Sequence, residues 1–201
     1  VGFREVTVEG NRLLLNGKPI MIKGVNRVEH DPVYGKHVPR ERMLREVLLM
    51  KRNNINCVRP SVIPTDPYYL TLCDRYGLMV IDEANVESHG MWYGKRSPAK
   101  HPSWQKAHVE RIEAIVERDK NHPSVIMWSL GNEAGNGINM VAMSEKAKEI
   151  DPTRPVTYHF SDIPEVVDVY SGGVIKKGKE HHHARYQTLE DLKMIGEAGI
   201  D

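Results

Sequence analysis

The sequence predicts a parallel α/β domain preceded by a β-hairpin. Three observations carry the prediction. From residue 20 onward, short apolar runs alternate with segments of helical period. The runs are nearly all apolar, not only at every second residue, as strands covered by helices on their faces must be. Acids, amides, His and Arg gather directly after those runs, where a parallel sheet places its ligand-binding loops.

The elements follow in order. Phe3 to Val8 and Arg12 to Leu15 alternate apolar and polar residues around Glu9-Gly10-Asn11, which reads as a hairpin. Asn16-Gly17-Lys18-Pro19 is a second turn leading into a short strand, Ile20 to Gly24. Pro39 to Asn53 carries Met43, Val47 and Met50 at helical spacing, with Pro39 suited to a first turn. Cys57-Val58-Arg59 is a strand, Pro67 to Tyr76 a helix closed by Gly77, and Leu78 to Asp82 a buried strand. Ser103 is placed to cap a helix running to Asp119, with Val109, Ile112, Ile115 and Val116 on its apolar face. Val125 to Leu130 is a strand and Met140 to Ile150 a helix stopped by Asp151-Pro152. Pro155 to Tyr158 and Val166 to Tyr170 are further strands, and Thr188 caps a final helix to Gly199.

These runs give six barrel-type strands, beginning near residues 20, 57, 78, 125, 155 and 166. A closed (β/α)8 barrel has eight strands and typically about 250 residues. Periodicity alone therefore leaves two architectures open: an open doubly wound sheet, or a TIM barrel truncated before about the seventh strand.

Composition narrows the function classes. The 201 residues are 40% hydrophobic and 27% charged with a net charge of +1, an ordinary globular balance. That charge offers no electrostatic footprint for nucleic acid or a membrane surface, and no apolar run is long enough to span a bilayer. The compartment stays open. The first residues, Val1-Gly-Phe-Arg-Glu, lack an initiator Met and a basic-then-apolar leader pattern, so the chain is expected to begin inside a longer protein. Cys57 and Cys73 sit among apolar residues and read as buried free thiols.

Four successive strand ends carry chemistry-bearing side chains: Asn26-Arg27-Val28-Glu29-His30, Arg59-Pro60-Ser61-Val62, Asp82-Glu83-Ala84-Asn85-Val86-Glu87-Ser88-His89 and Gly131-Asn132-Glu133-Ala134. Glu133 stands out, because the run Val125 to Leu130, apolar but for Ser129, delivers it to the sheet mouth. Partial desolvation there raises a carboxyl pKa and suits it to general acid catalysis. Asn132 is a fitting donor to a sugar hydroxyl. Asn-Glu also suits a plain helix start, but the flanking glycines and the other polar strand ends favour a site. Glu87, His89 and Glu133 together offer mixed oxygen and nitrogen ligands of a kind that accepts Mg²⁺ or Mn²⁺, although Glu87-Ser88-His89 taken alone fits an ordinary hydrogen-bonded loop better. Trp92 and Tyr93 fit either stacking on a sugar ring or packing. His181-His182-His183, beside Lys176 to Glu180, reads as a solvated loop.

Four runs, in order and spacing, resemble the catalytic domain of the glycoside hydrolase family 2 β-galactosidases. They are Gly24-Val25-Asn26-Arg27-x-Glu29-His30, Leu72-Cys73-Asp74-Arg75-Tyr76-Gly77-Leu78, Asp82 through Met91, and Arg118-Asp119-Lys120-Asn121-His122-Pro123-Ser124-Val125-Ile126 continuing to Glu133. The resemblance covers most of the chain to about Tyr158. It implies a truncated TIM barrel over residues 1–201 and a retaining β-galactosidase acting on terminal β-galactosides. Glu133 would be its acid/base, Asn132, Arg59, Glu29 and His30 its substrate-binding residues, and Glu87, His89 and Glu133 its Mg²⁺ ligands. A carbohydrate is the expected partner, and the intact protein is expected to be a homo-oligomer.

Two departures qualify this. The family has His where this chain has Val28, and a Ser-His-Tyr-Pro run in place of Ser61-Val62-Ile63-Pro64. Apolar side chains there imply a galactoside modified at the facing hydroxyls, or an impaired site. The family nucleophile, a Glu followed by Tyr or Phe after the seventh strand, has no match after Tyr170. The chain alone is thus expected to lack hydrolytic activity, and to associate or be partly disordered near residues 172 to 186. A degenerate, non-catalytic sugar-binding barrel is the alternative. A different metal hydrolase is disfavoured, since no two-metal carboxylate cluster is present.

Overall fold

The computed structural model describes residues 2–10, 12–91, 95–158 and 168–170. Two sheets organise them. The first is antiparallel, formed by β1 (Val6–Glu9), β2 (Arg12–Leu15) and β3 (Lys18–Pro19). Asn16 and Gly17 both have positive φ, 52° and 72°, and Leu15 pairs with Lys18. That is the two-residue turn whose twist matches a hairpin, and Asn-Gly is its favoured sequence. Lys18–Pro19, expected as part of a turn, is therefore a short third strand.

The second sheet is parallel and six-stranded: β4 (Gly24–Arg27), β5 (Cys57–Pro60), β6 (Met79–Glu83), β7 (Val125–Ser129), β8 (Val156–Tyr158) and β9 (Val169–Tyr170). Each strand pairs with its sequence predecessor. A doubly wound sheet reverses its order at a switch point. This sheet never reverses, so its order is that of a barrel.

Strand one corrects the sequence reading. It runs Gly24–Arg27, not Ile20 to Gly24. The Asn56 side chain accepts from the Lys23 N–H (2.8 Å) and donates to the Met21 carbonyl (2.9 Å), so those backbone groups are met by an amide before the ladder begins. Ile20 instead extends the hairpin, its N–H on the Leu13 carbonyl at 2.9 Å.

Among the described residues four α-helices cover the sheet: α1 (Arg40–Arg52), α2 (Pro67–Tyr76), α3 (Gln105–Asp119) and α4 (Ile138–Ile150). Asp66 caps α2 through the Tyr68 N–H, Pro67 occupies its first turn, and Gly77 ends it in a left-handed conformation. Ser103 does not cap α3. Pro102–Trp104 wind a turn of 3₁₀ helix directly into α3, so Ser103 lies inside helical backbone and not at an extended cap. On α3 it is His108 that is buried with Ile112, Ile115 and Val116, while Val109 is half-buried. His108 tolerates burial because Nδ1 meets the Trp104 carbonyl at 2.8 Å. Desolvation pulls its pKa down.

The main core lies between sheet and helices, where Val58, Val80 and Trp128 meet Val47, Leu70, Ile112 and Met140. A second cluster joins Val6, Leu13 and Leu15 of the hairpin to Met79, Ile81 and Met127. The hairpin is tied on by Arg4, which donates to the carbonyls of Pro123 (2.9 Å) and Val125 (2.6 Å). Cys57 and Cys73 are buried free thiols, and burial pushes the Cys57 thiol up to about 12. No helix among the described residues is long and apolar enough to cross a membrane. The expected helix from Thr188 to Gly199, Trp92, Tyr93, His181 to His183 and residues 172 to 186 lie outside the described residues.

One polar pair sits within the helix-side core. Asp82 of β6 and Asp119 of α3 are both wholly buried. Burial, then the charge and hydrogen bond of Asp119, hold the Asp82 carboxyl far above the usual carboxylate range. Arg118 neutralises Asp119 at 2.6 Å, so the pair keeps one proton. The folded state binds that proton more tightly than the unfolded chain. Its stabilisation is therefore complete below the ordinary carboxylate pKa and declines as pH rises toward the folded value. Asp82→Asn, which keeps a donor without the titration, should gain stability relative to the parent as pH rises from 5 to 8, by at most about 1.4 kcal/mol per pH unit. Urea unfolding of both proteins across that range checks the sign.

Candidate active site

All six parallel strands point their carboxyl ends to one face, and the polar residues converge there. Alternation decides which side chains face inward. Asn26, Arg59, Glu83 and Ser129 do so from β4, β5, β6 and β7, as their mutual hydrogen bonds show. Arg27, Val58, Asp82 and Trp128, one residue offset, face the helices.

Arg59 and Glu83 form the floor. Glu83 is fully buried and the Arg59 side chain 19% exposed, with Nη2 2.5 Å from Oε2. Glu83 also accepts from the Ser129 hydroxyl (2.6 Å) and the Val62 N–H (2.8 Å). Arg59 reaches Asn26 (3.2 Å), Ser61 (3.3 Å) and Asn132 Oδ1 (3.0 Å). One guanidinium therefore bonds to groups on four successive strand ends. Both partners are satisfied several times over, the condition under which a buried ion pair is tolerated.

The strands leave the sheet through tight turns. Backbone bonds spanning two residues join His30 N to Val28 O (2.8 Å), Ile63 N to Ser61 O (2.7 Å) and Val86 N to Ala84 O (2.7 Å). At the second of these, Val62 has φ 68°, a strained three-residue turn for a β-branched residue. Its N–H meets Glu83 Oε1 at 2.8 Å. Strain of this kind costs on the order of 1–3 kcal/mol and clusters at functional sites.

The loop after β7 carries the second such residue, Glu133 itself, at φ 44°. Gly131 makes the approach: its φ is 151°, and a Cβ there would lie 2.5 Å from the Val86 carbonyl oxygen. Only glycine lets the two loops meet, with Asn132 N on Val86 O at 2.8 Å. Asn132 Nδ2 then donates to Glu87 Oε2 while Oδ1 accepts from Arg59, which fixes the amide. Glu87 Oε1 accepts from the His89 N–H at 2.6 Å. His89 Nδ1 lies 2.8 Å from Glu133 Oε2, with side chains 45% and 29% exposed.

Ligand atoms of Glu87, His89 and Glu133 all fall within 4.8 Å of one another. Three donors on an accessible rim, two of them carboxylates, leave room for the waters that Mg²⁺ retains. The residues present fit such an ion.

The other expected site residues are placed differently. Glu29 is buried, its carboxylate on Arg27 Nη1 (2.5 Å) and the Thr65 hydroxyl (2.6 Å). Arg27 continues to Glu46 of α1 at 2.8 Å and lies over the Tyr69 ring of α2 at 4.1 Å. Glu29 thus joins strand one to the helices and is not brought to Glu133. His30 is exposed beyond it. Val28 is 52% exposed and Val62 half-buried. Glu83 was not singled out in the sequence; its inward parity with Arg59 across adjacent strands is the signal that identifies it.

With this geometry in place, the comparisons with known proteins are informative. Residues 6–195 match the model of the glycosyl hydrolases family 2 TIM barrel domain. The chain belongs to glycoside hydrolase family 2. Among solved structures of this family-like fold, a GH2 β-galacturonidase from Eisenbergiella tayi bound to galacturonate is 30% identical. Its TM-score is 0.70, with 79% of this chain and 28% of that one aligned. A β-glucuronidase from Ruminococcus gnavus, in complex with a C6-substituted uronic isofagomine, is 29% identical (TM-score 0.75, 85% and 31% covered). The β-D-glucuronidase of Dictyoglomus thermophilum is 31% identical (0.73, 85% and 32%). The family 2 chain described here spans about a third or less of the length of these enzymes.

The Arg59–Glu83 pair yields a stability prediction. Arg59→Met strands a fully buried carboxylate and should lower unfolding free energy by about 3 kcal/mol. Arg59→Met combined with Glu83→Gln should recover part of that loss. Denaturant midpoints of the two variants in the intact protein provide the check.

Proposed function

We propose that the intact protein is a retaining exo-acting β-glycosidase for galactose-configured substrates, with Glu133 as acid/base. The observation that carries this is the placement of Glu133. It stands in a strained conformation at the end of the wholly buried strand β7, beside Asn132 and within hydrogen-bonding distance of His89.

Glu133 would protonate the glycosidic oxygen as the bond breaks, then take a proton from the water that releases the sugar. Asn132, its amide fixed by Arg59 and Glu87, has a second N–H to donate to a sugar hydroxyl. Arg59 acts through Asn132 and Glu83, holding the amide in register. A retaining displacement needs a second carboxylate about 5–5.5 Å away. Glu83 is closed off by Arg59, Ser129 and Val62, and Glu87 is tied to Asn132 and His89. We therefore assign the nucleophile to a residue outside those described. Glu87, His89 and Glu133 would hold Mg²⁺, which when bound would offset repulsion between the two carboxylates.

The galactoside assignment rests on the run Asp82 to Met91 and its convergence with Glu133. A β-uronoside is the second reading, favoured by the galacturonidase and glucuronidases that share the fold at about 30% identity. Val28 and Val62 further favour sugars methylated or deoxygenated at the facing hydroxyl over unmodified lactose. Aryl β-galactoside, β-galacturonide, β-glucuronide and O-methyl galactoside, compared by kcat/KM, separate these substrates. No turnover of any would leave the non-catalytic sugar-binding barrel.

Two predictions follow the proposed roles. Glu133→Gln should reduce kcat/KM on alkyl glycosides by more than about 10²-fold. Dinitrophenyl glycosides, which need little protonation, should lose much less in the glycosylation step, read from pre-steady-state bursts. Equal losses would remove Glu133 from the acid/base role. Chelation should lower activity and Mg²⁺ restore it, with His89→Ala raising the half-saturating Mg²⁺ about tenfold or more; an activity indifferent to both would dismiss the ion.

A further inference from the structure

We infer that Tyr158, Ser97 and Ser88 are positioning residues that hold Glu133 in its working conformation by clamping the peptide groups of Ala134. The inference rests on the acid/base reading of Glu133 and names what keeps that group in place.

Glu133 is a non-glycine residue at φ 44°, a conformation that surrounding structure must impose. The next residue, Ala134, is fully buried. Its N–H belongs to the peptide that links it to Glu133, so whatever fixes that N–H fixes the ψ of Glu133. That group donates to Tyr158 Oη at 3.0 Å, and the same phenol donates to the Gly135 carbonyl at 2.9 Å. On the other side, the Ala134 carbonyl accepts from Ser97 Oγ at 2.8 Å and Ser88 Oγ at 3.1 Å.

The three hydroxyls come from three places. Tyr158 is wholly buried in the helix-side core at the end of β8. Ser97 is also wholly buried and caps the 3₁₀ turn Pro98–Lys100. Ser88 lies between the two residues Glu87 and His89. With Asn132 held on the preceding side by Val86 and Arg59, relaxing φ of Glu133 turns the Glu133–Ala134 peptide. That rotation breaks the Tyr158 bond and buries an unpaired N–H. A phenol is suited to this task because one oxygen both accepts and donates, which sets the spacing of the Ala134 N–H and the Gly135 carbonyl, on either side of the intervening peptide. None of the three side chains needs to touch the sugar.

Tyr158→Phe keeps the packed ring and removes both bonds. Misplacement of an acid/base by a fraction of an ångström to one ångström lowers rate by up to about 10²-fold. The expected loss in kcat/KM is therefore about 10- to 100-fold on alkyl glycosides of the sugar the intact protein prefers. On dinitrophenyl glycosides of the same sugar it should be below about threefold in the glycosylation step. The pattern should parallel that of Glu133→Gln with smaller amplitude, while KM for the activated substrate stays constant. Ser97→Ala should show the same leaving-group selectivity at lower amplitude, and it decides the matter if Tyr158→Phe does not fold. Equal losses on both substrate classes, or a lowered thermal midpoint with unchanged kinetics, would assign these hydroxyls to folding alone and overturn the inference. If Glu133→Gln itself shows no leaving-group selectivity, the acid/base reading fails first, independently of Tyr158.

Discussion

A carboxylate with no solvent exposure, four residues from an exposed one, is a costly thing to place at the mouth of a barrel. Glu83 is held there because Arg59 meets it across the strand pair and because Ser129 and Val62 fill its remaining acceptor sites. The rest of the mouth is arranged around this ion pair. Arg59 sets the amide of Asn132; Asn132 meets Glu87; Glu87 orders the His89 backbone, and His89 faces Glu133. The strained residue Val62 belongs to the same arrangement, since its N–H meets Glu83. Remove the guanidinium and the buried carboxylate must take up a proton or move, and each subsequent contact loses its reference point.

Two layers of support converge on Glu133. From inside the barrel, the Arg59 network fixes what lies before it in sequence, Gly131 and Asn132. From the helix side, buried hydroxyls fix what lies after it, Ala134 and Gly135. The residue in between carries the unfavourable backbone geometry. Its side chain can then remain partly solvent-facing and still be ordered, because order is supplied through the main chain on both sides. Precision of this kind costs stability locally and is offset by the core beneath, where β7 is buried at every position.

Much of this was readable from residues alone, and the reasons for success and failure are physical. Helix α2 shows its ends in Asp66, Pro67 and Gly77, each a residue type with a specific backbone role. The strand ends were legible where an apolar run stops abruptly, as at Leu130 and Glu133. Glu87, His89 and Glu133 were gathered because the loops of adjacent parallel strands must meet. Parity was the harder signal. Arg27 and Glu29 lie two apart and share the helix-facing side, so Glu29 closes a buried cluster with Thr65 and Glu46 and leaves the mouth to Asn26 and Arg59. Register at β4 was hidden because Asn56, distant in sequence, supplies side-chain bonds to Met21 and Lys23. Tyr158 looked like any strand aromatic; nothing local reveals that its hydroxyl meets a loop more than twenty residues earlier.

The strictly sequential order of the parallel strands has a consequence for synthesis. Each strand from β5 onward finds its partner already made, since that partner precedes it in the chain. The sheet can therefore grow strand by strand as the polypeptide leaves the ribosome, with each closure from β5 to β8 spanning one helix and its loops. The hairpin is the exception. Its strands precede the parallel sheet in the chain and form from local contacts, yet Val6 packs on Met127, and Arg4 bonds to carbonyls about 120 residues later. During elongation this small sheet must wait, its apolar face exposed, until β7 has emerged. Segments that form early and dock late are the natural clients of chaperones, and the hairpin is one of them.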